Sequence, residues 1–153
     1  MLDAAPVSTP MNFSTKISSD GVPLDDPAAF KRLIGRLIYL TNTRPDITYA
    51  IHRLSQFVAA PTTLHHQAAF RILRYIKQTP GQGIFLTANN NLQLQAYSDS
   101  DWADCPDSRK SSTGYIVYLG DSPIAWKSKK QNTVSHSSSE AEYRALAQTV
   151  CEL

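Results

Sequence analysis

At Pro80-Gly81 the spacing of apolar residues changes from a helical period to a strand period, and this divides what the chain can fold into. Before that point apolar residues recur three and four apart. Phe30, Leu33, Ile34, Leu37 and Ile38 form one stripe at 3.6 residues per turn. Ile47, Ala50, Ile51, Leu54 and Phe57 form a second, and Leu64, Ala68, Ile72, Leu73 and Ile76 a third. Asp26-Pro27 reads as an N-cap with proline at the first helical position. Arg44-Pro45 ends the first helix, because a residue before proline avoids the helical region. The second helix opens near Pro45 and closes at Pro61, and the third opens at Thr62 or Thr63. Residues 27–80 are therefore expected to form a small helical subdomain.

Beyond Gly81 the alternation is in twos. Ile84–Leu86 reads as a short strand, Asn89-Asn90-Asn91 as a turn, and Leu92–Tyr97 as an alternating strand. Tyr115–Leu119 and Ile124–Lys127 are two further strands, joined by a turn at Gly120-Asp121. A last helix starts near Ser138, where Ser139 and Glu142 fit a Ser-x-x-Glu capping box. Residues 1–26 are rich in Pro, Ser and Asp; Pro6, Pro10 and Pro23 forbid a continuous helix there, and the stretch reads as a flexible linker. The fold class is α+β.

Composition narrows the function little. A formal charge of +2 over 153 residues neither requires nor excludes a nucleic-acid partner. Cys105 and Cys151 are too few and too far apart for a disulfide framework or a zinc site, which points to a reducing, intracellular (cytoplasmic) setting. No apolar run approaches the roughly 20 residues a membrane span needs.

Acidic chemistry gathers in two places. Asp99 and Asp101 stand at the end of an alternating strand, and Glu140 and Glu142 on the first turn of a helix. Carboxylates from a strand and a helix can converge on a hard divalent cation. The pattern alone is equally satisfied by loop aspartates, a capping glutamate, and an acid at the positive end of a helix dipole. His65-His66 are adjacent and point to different faces, which disfavours a metal pair. Trp102 and Trp126 read as packing residues.

Ordered motifs carry more. Tyr97-Ser98-Asp99-Ser100-Asp101-Trp102-Ala103, Arg109-Lys110-Ser111-Ser112-Thr113-Gly114-Tyr115, Trp126-Lys127-Ser128-Lys129-Lys130-Gln131 and Ser137-Ser138-Ser139-Glu140-Ala141-Glu142-Tyr143 follow one another in this order. Together they resemble the first half of the ribonuclease H domain of Ty1/copia-type retrotransposon Pol polyproteins. Upstream, Leu33–Leu40, Arg44-Pro45-Asp46-Ile47 and Arg74-Tyr75-Ile76-Lys77 resemble the same family's connection between polymerase and nuclease.

The resemblance implies a truncated ribonuclease-H-like domain at 81–153, with three antiparallel strands and one helix. It implies that Asp99 and Glu142, rather than Asp101 and Glu140, are catalytic metal ligands. It also implies magnesium (Mg2+) in a two-metal site and hydrolysis of RNA in an RNA–DNA hybrid. Lys127, Lys129 and Lys130 become candidates for phosphate contact. Further acids of the family's set are absent from this sequence, so the chain alone is expected to be an inactive part of the polyprotein. The rest of Pol is its implied partner, and a virus-like particle the setting of an intact parent element. An unpaired strand edge would allow self-association. Two other readings stay open: a non-catalytic nucleic-acid-binding or tethering module, and a decayed transposon fragment without function.

Overall fold

Asp26 accepts a hydrogen bond from the Ala29 amide at 2.9 Å, and with Pro27 behind it helix α1 (Pro27–Leu40) begins at this cap. The computed structural model describes residues 4–12, 17–88 and 91–153. It divides into two compact units, Met1–Gly83 and Ile84–Leu153.

In the first unit α1 buries Phe30, Ile34 and Leu37 and leaves Ile38 largely in solvent, so the buried stripe is narrower than the apolar one. The helix expected from Pro45 is two pieces: a single 3-10 turn at Pro45–Ile47, then α2 (Thr48–Ser55). Helix α3 (Thr63–Gln78) starts from Thr62. These elements share a core with Met11 and Ile17. The proline-rich stretch, expected to be a linker, is therefore packed against the helices over these described residues. Val22 and Leu24 also exchange backbone hydrogen bonds with the start of α3, at 2.9 Å to the Thr63 amide and 3.0 Å to the Pro61 carbonyl.

His65 and Arg44 are among the buried polar residues of this unit, and both are engaged. His65 Nδ1 accepts from the Thr62 amide at 2.9 Å and Nε2 lies 3.0 Å from the Ser18 carbonyl, while the ring stacks on Phe57. That ring is structural. Arg44, 3% exposed, grips Asp46 with two hydrogen bonds of 2.9 and 2.8 Å and reaches the Thr79 carbonyl and hydroxyl beyond α3. The Tyr75 hydroxyl donates to the same Asp46 carboxylate at 2.8 Å. This clip ties the α1–α2 connection to the end of α3.

The second unit is a three-stranded antiparallel sheet and one helix, an α+β arrangement. The strands are β1 (Leu94–Asp101), β2 (Ser112–Leu119) and β3 (Ser122–Lys130), in the order β1-β2-β3. Gly120, at φ +56°, makes the tight turn from β2 to β3. The strand expected at Ile84–Leu86 does not form: Phe85 and Leu86 are exposed, and they join no ladder. Of the expected Asn89-Asn90-Asn91 turn, Asn89 and Asn90 lie outside the described residues. Helix α4 (Ser138–Val150) buries Ala141, Ala145 and Thr149, and Tyr115 and Val117 of β2 are buried in the same unit. Strand β1 pairs on one side only, so among the described residues its other edge is open. Among those residues no helix is long and apolar enough to cross a membrane.

Candidate nuclease site

The open edge of β1 is where the two acidic motifs come together. The Ser100 amide donates to Glu142 Oε1 at 3.2 Å, which places the Glu142 carboxylate one residue from Asp99. Asp99 lies opposite Gly114 in the β1–β2 ladder and is exposed. Strand alternation sends Asp99 to the sheet face opposite Ser98 and Ser100. Ser98 lines an open cleft of about 350 Å³ with Ser139, Glu142, Tyr143 and Leu146 of α4. Glu142 thus meets the β1 edge from the helix side, one residue from Asp99, whose side chain leaves the strand on the other face.

The structure separates the two helix acids. The expected capping box of Ser139 and Glu142 is corrected: Ser137 is the N-cap, accepting from the Glu140 amide at 3.1 Å. The cap falls two residues earlier because Ser137 is the last extended residue and Ser139 is already helical. Glu140 accepts from the His136 amide at 2.8 Å and pairs with Arg144, also at 2.8 Å. The His136 amide and the Arg144 guanidinium hold its carboxyl below the usual glutamate range. Glu142, two positions past the residue the cap reaches, turns to β1 instead.

The three lysines singled out for phosphate contact all lie on β3. Strand β2 stands between them and Asp99, a separation of roughly 10 Å at two ladder spacings. Lys127 pairs with Glu152 at 3.2 Å, and Lys130 approaches the Cys105 thiol at 3.6 Å; Lys129 is exposed. Trp102, half exposed, donates from its indole to the Ser135 carbonyl at 3.0 Å and anchors the loop before α4.

One residue of the site was not singled out by sequence. Gln131 is 8% exposed, and its amide contacts β1, β2, the Ser135 loop and α4. Its only sequence signal is a polar residue at the end of a strand motif, which is ordinarily a solvated position.

A magnesium ion requires hard oxygen donors, usually six ligands including water. Asp99 and Glu142 are donors of the right kind, but among the described residues no group of three or more acids, histidines or cysteines gathers to hold a metal. These residues do not by themselves make a complete two-metal site.

The chain is similar throughout its length to known transposon proteins. The whole chain is 54% identical over 154 residues to the retrovirus-related Pol polyprotein from transposon RE1 of Arabidopsis thaliana. It is 52% identical over 154 residues to the Pol polyprotein from transposon RE2 of the same plant. Along its whole length the chain is homologous to a segment of transposon Pol polyproteins. This Pol segment spans about a tenth of those polyproteins, 10% and 11% of their lengths. An uncharacterized mitochondrial protein of Arabidopsis thaliana is 44% identical to it over 153 residues, a match covering 64% of that protein. No protein-family model matches the Pol segment. No solved structure matches it either.

Proposed function

We propose that the Ile84–Leu153 unit of this Pol segment is the opening part of a ribonuclease-H-like nuclease domain, with Asp99 and Glu142 as two of its metal-binding acids. The observation that carries this reading is the Glu142 carboxylate on the Ser100 amide, next to Asp99, while Glu140 is engaged with His136 and Arg144. The order of the four motifs supports it independently. The substrate is the RNA strand of an RNA–DNA hybrid, and the remaining acids come from other parts of the polyprotein. Magnesium, when held there, would polarise the phosphodiester and activate water.

What this chain's own residues contribute is placement. Strand β1 fixes Asp99 on a hydrogen-bonded ladder, and α4 brings Glu142 to the edge of that strand. The cleft that Glu142 lines offers the Ser98 and Ser139 hydroxyls and the Tyr143 ring. Hydroxyl donors of this kind suit a 2′-hydroxyl or a phosphate oxygen. Lys127, Lys129 and Lys130 are assigned to the flank of the hybrid, where charge contributes affinity without sequence preference. The helical unit is assigned to the connection between polymerase and nuclease.

Manganese titration of the isotope-labelled chain tests the site. Paramagnetic broadening centred on the Ser98, Ser100 and Glu142 amides is the expected result, weak because only two acids are present. Broadening centred on Asp104 and Asp107 in the β1–β2 loop, or none near β1, would contradict the assignment.

A further inference from the structure

We propose that Gln131 is the positioning residue that holds the first turn of α4 against β1 and so sets Glu142 beside Asp99; this rests on the reading of those two acids given above. Gln131 follows β3, and its side chain enters the space between sheet and helix. Its Nε2 lies 3.0 Å from the Ala141 carbonyl, 3.1 Å from Thr113 Oγ1 and 3.3 Å from Ser100 Oγ. Its Oε1 accepts from Ser135 Oγ at 3.1 Å, and its own backbone amide donates to the Ser111 carbonyl at 2.8 Å.

The orientation of the amide follows from chemistry. Hydroxyls can donate or accept, but the Ala141 carbonyl only accepts, so the NH2 group must face it. Two hydrogens serve three acceptors, and the longest contact, to Ser100, is shared.

Both ends of this network touch the acid pair's own neighbours. Ala141 immediately precedes Glu142 and is fully buried. Ser100 follows Asp99 and supplies the amide that Glu142 binds. Gln131 therefore bridges the same β1–α4 gap that the Glu142 hydrogen bond bridges, along a second line. An apolar side chain of equal size would fill the space but leave the Ala141 carbonyl and three hydroxyls without this partner. The neighbouring loop is fixed separately by the Trp102 indole on the Ser135 carbonyl. Gln131 is thus placed to fix the helix relative to the strand rather than merely to fill volume.

The experiment is amide hydrogen exchange on the intact chain, read at Ser100 against the amides of β2, together with the manganese titration. Gln131→Met keeps the side chain's length and removes its hydrogen bonds. The expected result is unchanged protection in β2, roughly tenfold faster exchange at Ser100 (the loss of about one hydrogen bond) and a higher manganese midpoint. Ser135→Ala, which removes only the donor to Oε1, gives a smaller change in the same direction. Unchanged Ser100 exchange in a Gln131→Met chain whose β2 amides stay protected would overturn the proposal. If Gln131→Met unfolds the sheet, Ser135→Ala decides by the same criterion. If wild-type chain shows no broadening near β1 while Ser100 exchange still rises in the variants, the positioning role stands and the assignment of the acid pair fails.

Discussion

Glu140 and Glu142 stand two positions apart on α4, and their partners give them different roles. Glu140 closes the helix start through His136 and Arg144, so Glu140→Ala is expected to loosen the first turn of α4 slightly without moving the manganese site. Thermal unfolding and the titration measure the two effects separately. From pattern alone Glu142 could have been the capping acid; only the family resemblance selected it over Glu140, because a cap and a ligand both need an acid near a helix start. Asp46 has a structural task in the helical unit. Burial pushes its carboxyl up, but hydrogen bonds from Arg44 and Tyr75 outweigh this and hold it below the usual aspartate range. A carboxyl depressed in the folded state contributes stability that is full above its unfolded pKa and lost as pH falls through the folded value. The helical unit should therefore weaken below about pH 4. Asp46→Ala, which leaves the buried Arg44 without its counter-ion and with only its Thr79 hydrogen bonds, should destabilise the unit at neutral pH and remove that part of the pH dependence. Denaturant titrations at several pH values check both.

At the scale of elements, the helices were legible because each carries a run of apolar residues at one period with proline or a capping residue at its boundary. Leu37 lies mid-stripe and is buried, and Leu37→Ala is expected to cost about 2–5 kcal/mol. A change near zero in denaturant unfolding would show that α1 does not pack as described. Two segments were not legible. Ile84-Phe85-Leu86 has strand composition, yet a strand needs a ladder partner, and the sheet supplies none; Phe85→Ser should change stability by less than about 0.5 kcal/mol. In the proline-rich stretch the reverse holds. Met11 and Ile17 are isolated apolar residues in polar surroundings, without the periodicity that signals an element, and only the tertiary fold shows that they complete the helical core. The Gln131 network was hidden for a related reason: its members are scattered from Ser100 to Ala141, and no local pattern links them.

At the scale of the molecule, the open edge of β1 is the feature with the widest consequences. Leu94 and Tyr97 of β1 and Leu92 just before it are exposed, and Tyr143, Leu146 and Val150 are exposed on α4. Unpaired edges of this kind template association. Sedimentation should show self-association that grows with concentration, and Leu94→Lys should reduce it, as charge on an edge strand opposes pairing. The same edge bears directly on the assignment of this Pol segment to a nuclease. The decisive measurement is cleavage of a labelled RNA–DNA hybrid by the chain joined to the stretch that follows the matching segment in RE1 Pol. The account predicts RNA-strand cleavage that requires magnesium, is abolished by Asp99→Asn or Glu142→Gln, and survives Asp101→Asn and Glu140→Gln. Equal cleavage by the joined protein carrying Asp99→Asn would contradict it.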